Sequence, residues 1–224
     1  AYQAGKEIGT YLTELGIDTD FAPVADVWSN AENQVIGDRS FGTDPEKVAK
    51  MVAEAVRGFH DSQIRTAVKH FPGHGNTVED SHREFAYNYS TKEELEKGEW
   101  KPFEVGIEEQ SEFVMVGHIC CPNIISEETP ASLSEELVTD ILRNEMGFDG
   151  IIITDAMDMG AVTAHYSCGE AAVRALEAGA DMILMPEDFQ EAYEAVLQAV
   201  RDGRISEEQI SESVSRILNC KKSR

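Results

Sequence analysis

The sequence predicts an α/β fold in which short buried strands alternate with longer amphipathic helices. Three observations lead to this prediction: short apolar segments without apolar/polar alternation, helix-capping residues between them, and ionisable residues where the segments end. Segments that are apolar on both faces are typical of parallel strands covered by helices. We therefore expect βαβ units around a parallel sheet, in a single domain spanning residues 1–224.

Five segments qualify as strands because they are rich in Val, Ile, Phe or Met. They are residues 20–27, 65–71, 112–119, 150–156 and 181–186.

The helices between these strands are indicated by residues that start and stop helices. Asp44 followed by Pro45 is typical of an N-cap and a first helical position. Ser134 and Gly147 are expected to open and close a second helix, and Ser206 to cap the last one. A further helix precedes the first strand.

Ionisable side chains occur where four of the predicted strands end. They are Asp26, the Lys69–His70 pair, His118 and Asp155. Barrel enzymes build their sites at the carboxyl ends of strands, and open α/β sheets also bind ligands there. The pattern alone therefore leaves an open sheet and a partial barrel as alternatives.

Composition and missing motifs exclude several function classes. Acidic residues outnumber basic ones by 42 to 19, which opposes binding to nucleic acid. The first predicted strand is followed by "SNAENQVIGDRSFG" without GxGxxG, and neither a P-loop nor GxSxG occurs. We expect no nucleic-acid partner and no nucleotide or other cofactor.

The remaining composition bears on compartment and membrane. No apolar run approaches the ~20 residues of a membrane span, so we expect none. The four cysteines, at 120, 121, 168 and 220, fit neither a zinc pattern nor a disulfide scaffold and are expected to be reduced, mostly buried thiols. These features do not determine the compartment, and a cytoplasmic location is favoured.

The segment "KHFPGHGNTVEDSH", residues 69–82, concentrates candidate chemistry. His70, His74, His82 and Asp80 could in principle ligate zinc, but their spacing matches neither HExxH nor a finger, so no metal is predicted. Asp80 could instead fix the tautomer of His82 and raise its pKa for proton transfer. A polar turn without chemistry is the simpler alternative.

Asp155 follows three isoleucines, and two interpretations of it stay open. It could cap the next helix, or its carboxylate could act at the mouth of a site as nucleophile, base or metal ligand. Asp158 is expected in the turn or helix beyond. Lys69 beside His70, and the donor-rich fork of Arg39, suit the binding of substrate hydroxyls.

Four motifs in this order resemble the family-three glycoside hydrolases, specifically the β-N-acetylglucosaminidase branch. They are "FAPVADV", "GDRSFGTDP", "KHFPGHG…DSH" and "IIITDAMDMGA", and the similarity covers essentially the whole chain. The resemblance implies an α/β fold of the (β/α)8 TIM-barrel type, with about five of eight strands in this chain. It also implies exo-hydrolysis of terminal β-linked N-acetylglucosamine from peptidoglycan- or chitin-derived oligosaccharides.

The resemblance assigns roles by position. Asp155 resembles the nucleophile of a retaining mechanism that forms a covalent glycosyl-enzyme. His82 resembles the general acid/base on a mobile loop, with Asp80 as its partner, and the neighbouring Gly73 and Gly75 are expected to supply flexible backbone.

The sugar-binding assignments also follow from the resemblance. Arg39, Lys69 and His70 occupy positions that in this family bind the hydroxyls of the terminal N-acetylglucosamine. Asp26 and His118 are expected to make secondary contacts. The predicted partner is thus a carbohydrate.

Alternatives to this function are phosphorolysis, because a histidine acid/base repels phosphate less than a carboxylate does, and an inactive fragment that binds sugar weakly. The chain begins at a helix preceding what resembles the family's fourth strand. A truncated sequence is the favoured explanation, ahead of a missing second chain or a degenerate remnant. An open five-stranded piece would expose sheet edges, so we expect self-association.

Overall fold

The structure is a computed structural model of the chain and describes residues 1–77, 85–125 and 128–222. It contains two compact units, each formed by segments distant in sequence. The first includes Ala1–Val78 and Ser90–Met115, and the second includes Glu79–Tyr89 and Val116–Ser223.

Helices and short strands alternate along the chain, as expected. In chain order they are α1 (Tyr2–Glu14), β1 (Thr19–Asp20), α2 (Pro45–His60), β2 (Arg65–Phe71), β3 (Ala86–Tyr87), α3 (Lys92–Lys97), α4 (Lys101–Glu108), β4 (Phe113–Val116), β5 (Ile119–Cys120), a π-helix (Glu136–Glu145), β6 (Ile151–Ala156), α5 (Gly160–Thr163), α6 (Cys168–Glu177), β7 (Met182–Leu184), α7 (Phe189–Arg201) and α8 (Glu207–Lys222).

The five predicted strands correspond to β1, β2, β4, β6 and β7, which follow one another in that order in one sheet. In the first unit β1 pairs in parallel with β2, with Thr19 opposite Arg65. In the second unit β6 pairs in parallel with β7, with Ile153 opposite Met182. The expected parallel sheet is confirmed.

Two features of the strands differ from the prediction. The first strand was expected over residues 20–27 but ends at Asp20, and only an isolated bridge from Val24 to Lys69 continues the pairing. Pro23 explains the interruption, because proline has no backbone N–H to donate to a ladder. The short pair β3–β5 was not predicted, since two-residue strands carry no readable periodicity.

The predicted caps are largely confirmed. Asp44 accepts hydrogen bonds from the backbone N–H groups of Glu46 and Lys47, at 3.0 and 3.3 Å. Ser206 accepts from Gln209 N at 3.0 Å. The helix expected between Ser134 and Gly147 is present but is a π-helix, in which the last turn closes five residues back.

In the first unit, α1 packs closely against α2. A Cβ atom on Gly58 would lie 2.2 Å from the carbonyl oxygen of Tyr2, so only glycine permits this approach. Four large apolar residues of α2 are buried, namely Val48, Val52, Val56 and Phe59. These residues form the apolar face of an amphipathic helix, and this face is the one that is buried.

In the second unit, a fully buried carboxylate, that of Asp181, ties three elements together. Its Oδ2 accepts from Arg143 Nη2 at 2.7 Å and from Ile152 N at 2.9 Å. Its Oδ1 accepts from Ser213 Oγ at 2.7 Å and from Arg216 Nη1 at 3.0 Å. Burial lowers the pKa of Arg143, and the nearby Asp181 carboxylate opposes that effect. The π-helix, β6 and α8 thus share one ionic centre.

Within the described residues, none of the helices combines the length and apolar character needed to cross a lipid bilayer.

The Asp181 network predicts a large stability effect. Asp181→Asn removes the paired carboxylate from Arg143 and leaves Arg216, among the described residues, only its ion pair with Glu212 at 3.6 Å. Breaking a buried ion pair by removing one member costs about 3–5 kcal/mol. Urea unfolding should show this loss in the free energy of unfolding. The control is Asp202→Asn, which alters an exposed carboxylate that accepts a hydrogen bond from Gln198 Nε2 at 2.8 Å. Equal stability of the two variants would contradict the proposed network.

Candidate active-site residues

In the first unit, Asp26 is a fully buried carboxylate directed at the "KHFPGHG" segment. Its Oδ2 accepts from His70 Nδ1 at 2.7 Å and from His70 N at 3.2 Å, and its Oδ1 accepts from His74 N at 2.7 Å. The side chain of Asp26 has no exposed surface. This geometry favours a positioning role, through His70 and His74, over the secondary sugar contact expected from the sequence.

The charge state of Asp26 follows from two opposing effects. Burial by itself would raise the pKa of this carboxyl, but attraction and hydrogen bonding from His70, and then from His74, outweigh it. The net pKa of Asp26 lies below its ordinary value. Since the anion can only accept, His70 carries a hydrogen on Nδ1, and its Nε2 lies 3.4 Å from Arg39 Nη2.

Lys69 and Arg39 differ from His70 in exposure. Arg39 lies at the end of the 3₁₀ turn Gly37–Arg39 and is exposed, with Nη1 donating to Val35 O at 3.2 Å. Lys69 is half-buried near the end of β2. Burial raises the pKa of Asp20, and attraction from the Lys69 ammonium opposes this rise. The side chains of Arg39 and Lys69 are thus at least partly exposed to solvent. Both residues belong to the same unit as His70.

The turn after β2 is held by Asn33, which sequence analysis missed. Asn33 is buried, and its Nδ2 donates to the carbonyl oxygens of His74 and Thr77, at 2.7 and 2.8 Å. His74 Nδ1 in turn lies 2.7 Å from Thr77 Oγ1. A lone asparagine in a polar loop gives no sequence signal that would distinguish this role.

The two glycines of the turn have steric reasons to be glycine. A Cβ atom on Gly75 would lie 1.8 Å from Val27 O, and Gly73 has a φ of +123°. In the described part of the segment, these residues therefore serve close packing and an unusual backbone conformation. The backbone flexibility expected of Gly73 and Gly75 stays a prediction.

In the second unit, Asp155 lies in a β-bulge at the end of β6. Ile153 pairs with Met182 and Ala156 with Leu184, so three steps along β6 match two along β7. Bulges re-aim side chains and are common beside active sites. Asp155 is half-buried, and its Oδ1 accepts from Ala156 N at 2.8 Å.

The structure excludes one of the two interpretations of Asp155, that of a helix cap. Helix α5 begins at Gly160 and is preceded by Met159 at the N-cap, so Asp155 does not cap it. Asp158 lies exposed in the intervening turn, as expected. Asp155 is thus a strand-end carboxylate.

His118 is fully buried and uses both ring nitrogens inside the protein. Nδ1 lies 2.7 Å from Ser132 Oγ, and Nε2 lies 2.9 Å from Ala156 O. This arrangement favours support of the β6 end over the secondary sugar contact expected from the sequence. Ser132, its buried partner, was missed by sequence analysis.

Two predicted catalytic residues, Asp80 and His82, lie outside the described residues, so their roles stay predictions. Within the ranges 1–77, 85–125 and 128–222, no group of three or more His, Cys, Asp or Glu side chains could hold a metal ion. Because Asp80 and His82 are not among them, that result does not address the zinc alternative. None of the four cysteines, all within the described residues, forms a disulfide; two are buried and two half-buried.

Three known proteins illustrate what this chain is similar to in sequence and structure. A β-hexosaminidase of Stenotrophomonas maltophilia (strain K279a) is 40% identical over 185 residues, which cover 81% of this chain and 53% of that protein. The solved family-3 β-N-acetylglucosaminidase from Paenibacillus sp. str. FPU-7 has 44% identity and a TM-score of 0.96, over 99% of this chain and 43% of that one. The β-glucoside phosphorylase BglX has 30% identity and a TM-score of 0.93, over 97% and 41%.

A sheet of five parallel strands alternating with helices fits part of a (β/α)8 TIM barrel. Residues 1–220 match the family described as "Glycosyl hydrolase family 3 N terminal domain". The chain belongs to glycoside hydrolase family three. It spans between 40% and 58% of the length of the curated relatives it matches.

The Asp26 contacts predict a pH dependence of stability. Because the folded pKa of Asp26 is below its unfolded value of about 3.9, the ionised group stabilises the fold fully above that pH. This contribution is lost as pH falls from there through the folded pKa. We expect Asp26→Asn to lower the free energy of unfolding at neutral pH and to reduce its fall in acid.

Urea unfolding at a series of pH values tests this expectation. The control is Asp38→Asn, at an exposed aspartate of the same unit. If the stability difference between the wild type and Asp26→Asn stayed constant down to the lowest pH measured, the ionised Asp26–His70 contact would be refuted.

Proposed function

We propose that the protein carrying this chain is a retaining exo-β-N-acetylglucosaminidase. Its substrates would be peptidoglycan- or chitin-derived oligosaccharides with a terminal β-linked N-acetylglucosamine. The observation that carries the proposal is the placement of Asp155 at the bulged end of β6, half-exposed with one oxygen held by Ala156 N. Family membership and the β-hexosaminidase and β-N-acetylglucosaminidase relatives support it.

In the first chemical step, the Asp155 carboxylate attacks the anomeric carbon and a C1–O bond to the enzyme forms. The bond between C1 and the leaving-group oxygen breaks, and His82 transfers its proton to that oxygen. In the second step, His82 takes a proton from water while the water oxygen bonds to C1. The C1–O bond to Asp155 breaks as the bond to water forms, and the carboxylate is regenerated.

Sugar binding in this proposal falls to Arg39, Lys69 and His70. Arg39 offers several donors, Lys69 an ammonium, and His70 a ring nitrogen, Nε2, that can contact a sugar hydroxyl in place of Arg39. Asp26 supports them by fixing which ring nitrogen of His70 carries the hydrogen. Asp80 would support His82 in the same way.

The nucleophile assignment predicts a large rate effect. In the full-length protein, Asp155→Asn should lower kcat/KM for p-nitrophenyl N-acetyl-β-glucosaminide by about 10³-fold or more, because an amide cannot form the glycosyl ester. Asp158→Asn, at an exposed residue of the same motif, is the matched control and should stay within about threefold. A similar loss in both variants would remove Asp155 from this role.

Trapping provides a second readout for the same assignment. A 5-fluoro N-acetylglucosaminyl fluoride should leave its sugar on the peptide that contains Asp155, as detected by mass spectrometry. The wild type should release the β-anomer first, which proton NMR resolves. An adduct elsewhere, or release of the α-anomer, would contradict a retaining mechanism through Asp155.

Phosphorolysis is a second candidate because a phosphorylase is among the similar solved structures. In that reaction a phosphate oxygen replaces water in the second step and the product is the sugar 1-phosphate. Turnover of the glycosyl-enzyme with and without inorganic phosphate separates the two. A hydrolase should give free N-acetylglucosamine at a rate that phosphate does not increase, whereas N-acetylglucosamine 1-phosphate as main product would identify a phosphorylase.

A further inference from the structure

A chain of buried hydrogen bonds runs from Ser132 to the backbone beside Asp155. Ser132 Oγ lies 2.7 Å from His118 Nδ1, and His118 Nε2 lies 2.9 Å from Ala156 O. Ala156 N donates to Asp155 Oδ1 at 2.8 Å. Ser132 and His118 are both completely buried. All four residues belong to the second unit.

The direction of each hydrogen bond follows from the partners. A carbonyl oxygen only accepts, so His118 must carry a hydrogen on Nε2 to bond Ala156 O. In the neutral ring Nδ1 then accepts, and the Ser132 hydroxyl donates to it. Ser132 therefore supports the tautomer that lets His118 hold Ala156, and removing its hydroxyl takes this donor away from Nδ1.

The bulge explains why this carbonyl needs a side-chain donor. A bulge disrupts the regular ladder around its extra residue. On one side of Asp155, Thr154 Oγ1 accepts from Leu184 N at 3.0 Å. On the other side, Met157 N donates to Leu184 O at 2.9 Å, while His118 binds the preceding carbonyl, that of Ala156. Side chains thus substitute for ladder bonds at both flanks of Asp155.

We propose that Ser132 and His118 form a positioning pair that sets the orientation of the Asp155 carboxylate. This inference rests on the proposed function, because it assigns the pair a role in the attack on the anomeric carbon. Neither residue exchanges a proton with substrate. His118 holds Ala156 O, and the Ala156 amide, one bond away from Asp155, holds the carboxylate oxygen.

Burial supports a positioning role over simple packing. Burying an imidazole and a hydroxyl is unfavourable unless both are hydrogen-bonded, and apolar residues could fill the same space without that cost. This hydrogen-bonded pair contacts the backbone next to the Asp155 carboxylate. Such contacts are what a nucleophile held in a fixed orientation requires.

The test compares Ser132→Ala, His118→Leu and His118→Gln in the full-length protein. The glutamine amide can reach the Nε2 position and donate to Ala156 O, whereas leucine cannot. We expect Ser132→Ala and His118→Leu to lower kcat by about 10- to 100-fold with little change in KM, since small misplacements cost rates of this order. His118→Gln should recover most of the loss.

Rates must be expressed per active site, titrated with the fluorinated glycosyl donor, so that partial unfolding is not mistaken for lost orientation. Thr139→Val serves as control, because it removes another internal hydrogen bond of the same unit, Thr139 Oγ1 to Ala178 O at 2.7 Å. It should affect stability without affecting kcat. Unchanged kcat per site in Ser132→Ala and His118→Leu would overturn the positioning role.

A readout independent of activity separates this inference from the proposed function. Nitrogen-15 NMR of the wild-type His118 ring should show Nε2–H with an accepting Nδ1, and Ser132→Ala should shift the Nδ1 resonance. An Nδ1–H tautomer or an imidazolium would refute the pair even in an active enzyme. With the expected tautomer but no turnover of any N-acetylglucosaminide, the proposed function fails and with it the pair's role in attack.

Discussion

A buried carboxylate must have its hydrogen-bonding capacity filled, and this constraint organises both units. In the first unit, Asp26 accepts from the ring and backbone of His70 and from the backbone of His74. In the second, Asp181 accepts from two arginines, a serine and a backbone N–H. Because an unpaired buried charge is so unfavourable, each anion fixes the groups around it. Loop and strand geometry near the candidate site thus depends on electrostatics as much as on apolar packing.

Strand β6 shows how this constraint reaches the chemistry. Near its start, Ile152 N is bound by Asp181 Oδ2, and at its end Ala156 O is bound by His118. Between these two points the isoleucines are buried and fix the strand in the core. The bulge lies at the end of this fixed segment, so the direction of Asp155 depends on backbone contacts on both of its sides.

The sequence predicts the elements whose signals are repeated and local. Helix α2 is indicated by Asp44 at the N-cap and Pro45 at the first helical position, and both appear in the structure. Strand β1 is shorter than predicted because one proline outweighs an apolar run. Asn33 and Ser132 leave no periodic or motif signal, since these hydrogen bonds link residues distant in sequence. Asn33 bonds to residues 41 and 44 positions away, and Ser132 to a residue 14 positions away. Their roles become visible only when the chain is folded.

Residue type and strand-end position suggested the candidate site, but neither property separates ligand contacts from positioning residues. Complete burial combined with filled hydrogen-bonding capacity does. His70 is not of this kind, since it is 5% exposed and its Nε2 has, within the described residues, only the 3.4 Å contact with Arg39. Asp26 and His118 are completely buried and bonded within the protein, whereas Arg39 is exposed and Lys69 and Asp155 are half-buried. A residue of the first kind can act on substrate only through its neighbours, because its polar atoms are already engaged. The same criterion places Ser132 with His118, and it makes the orientation of Asp155 a property of the strand end as a whole.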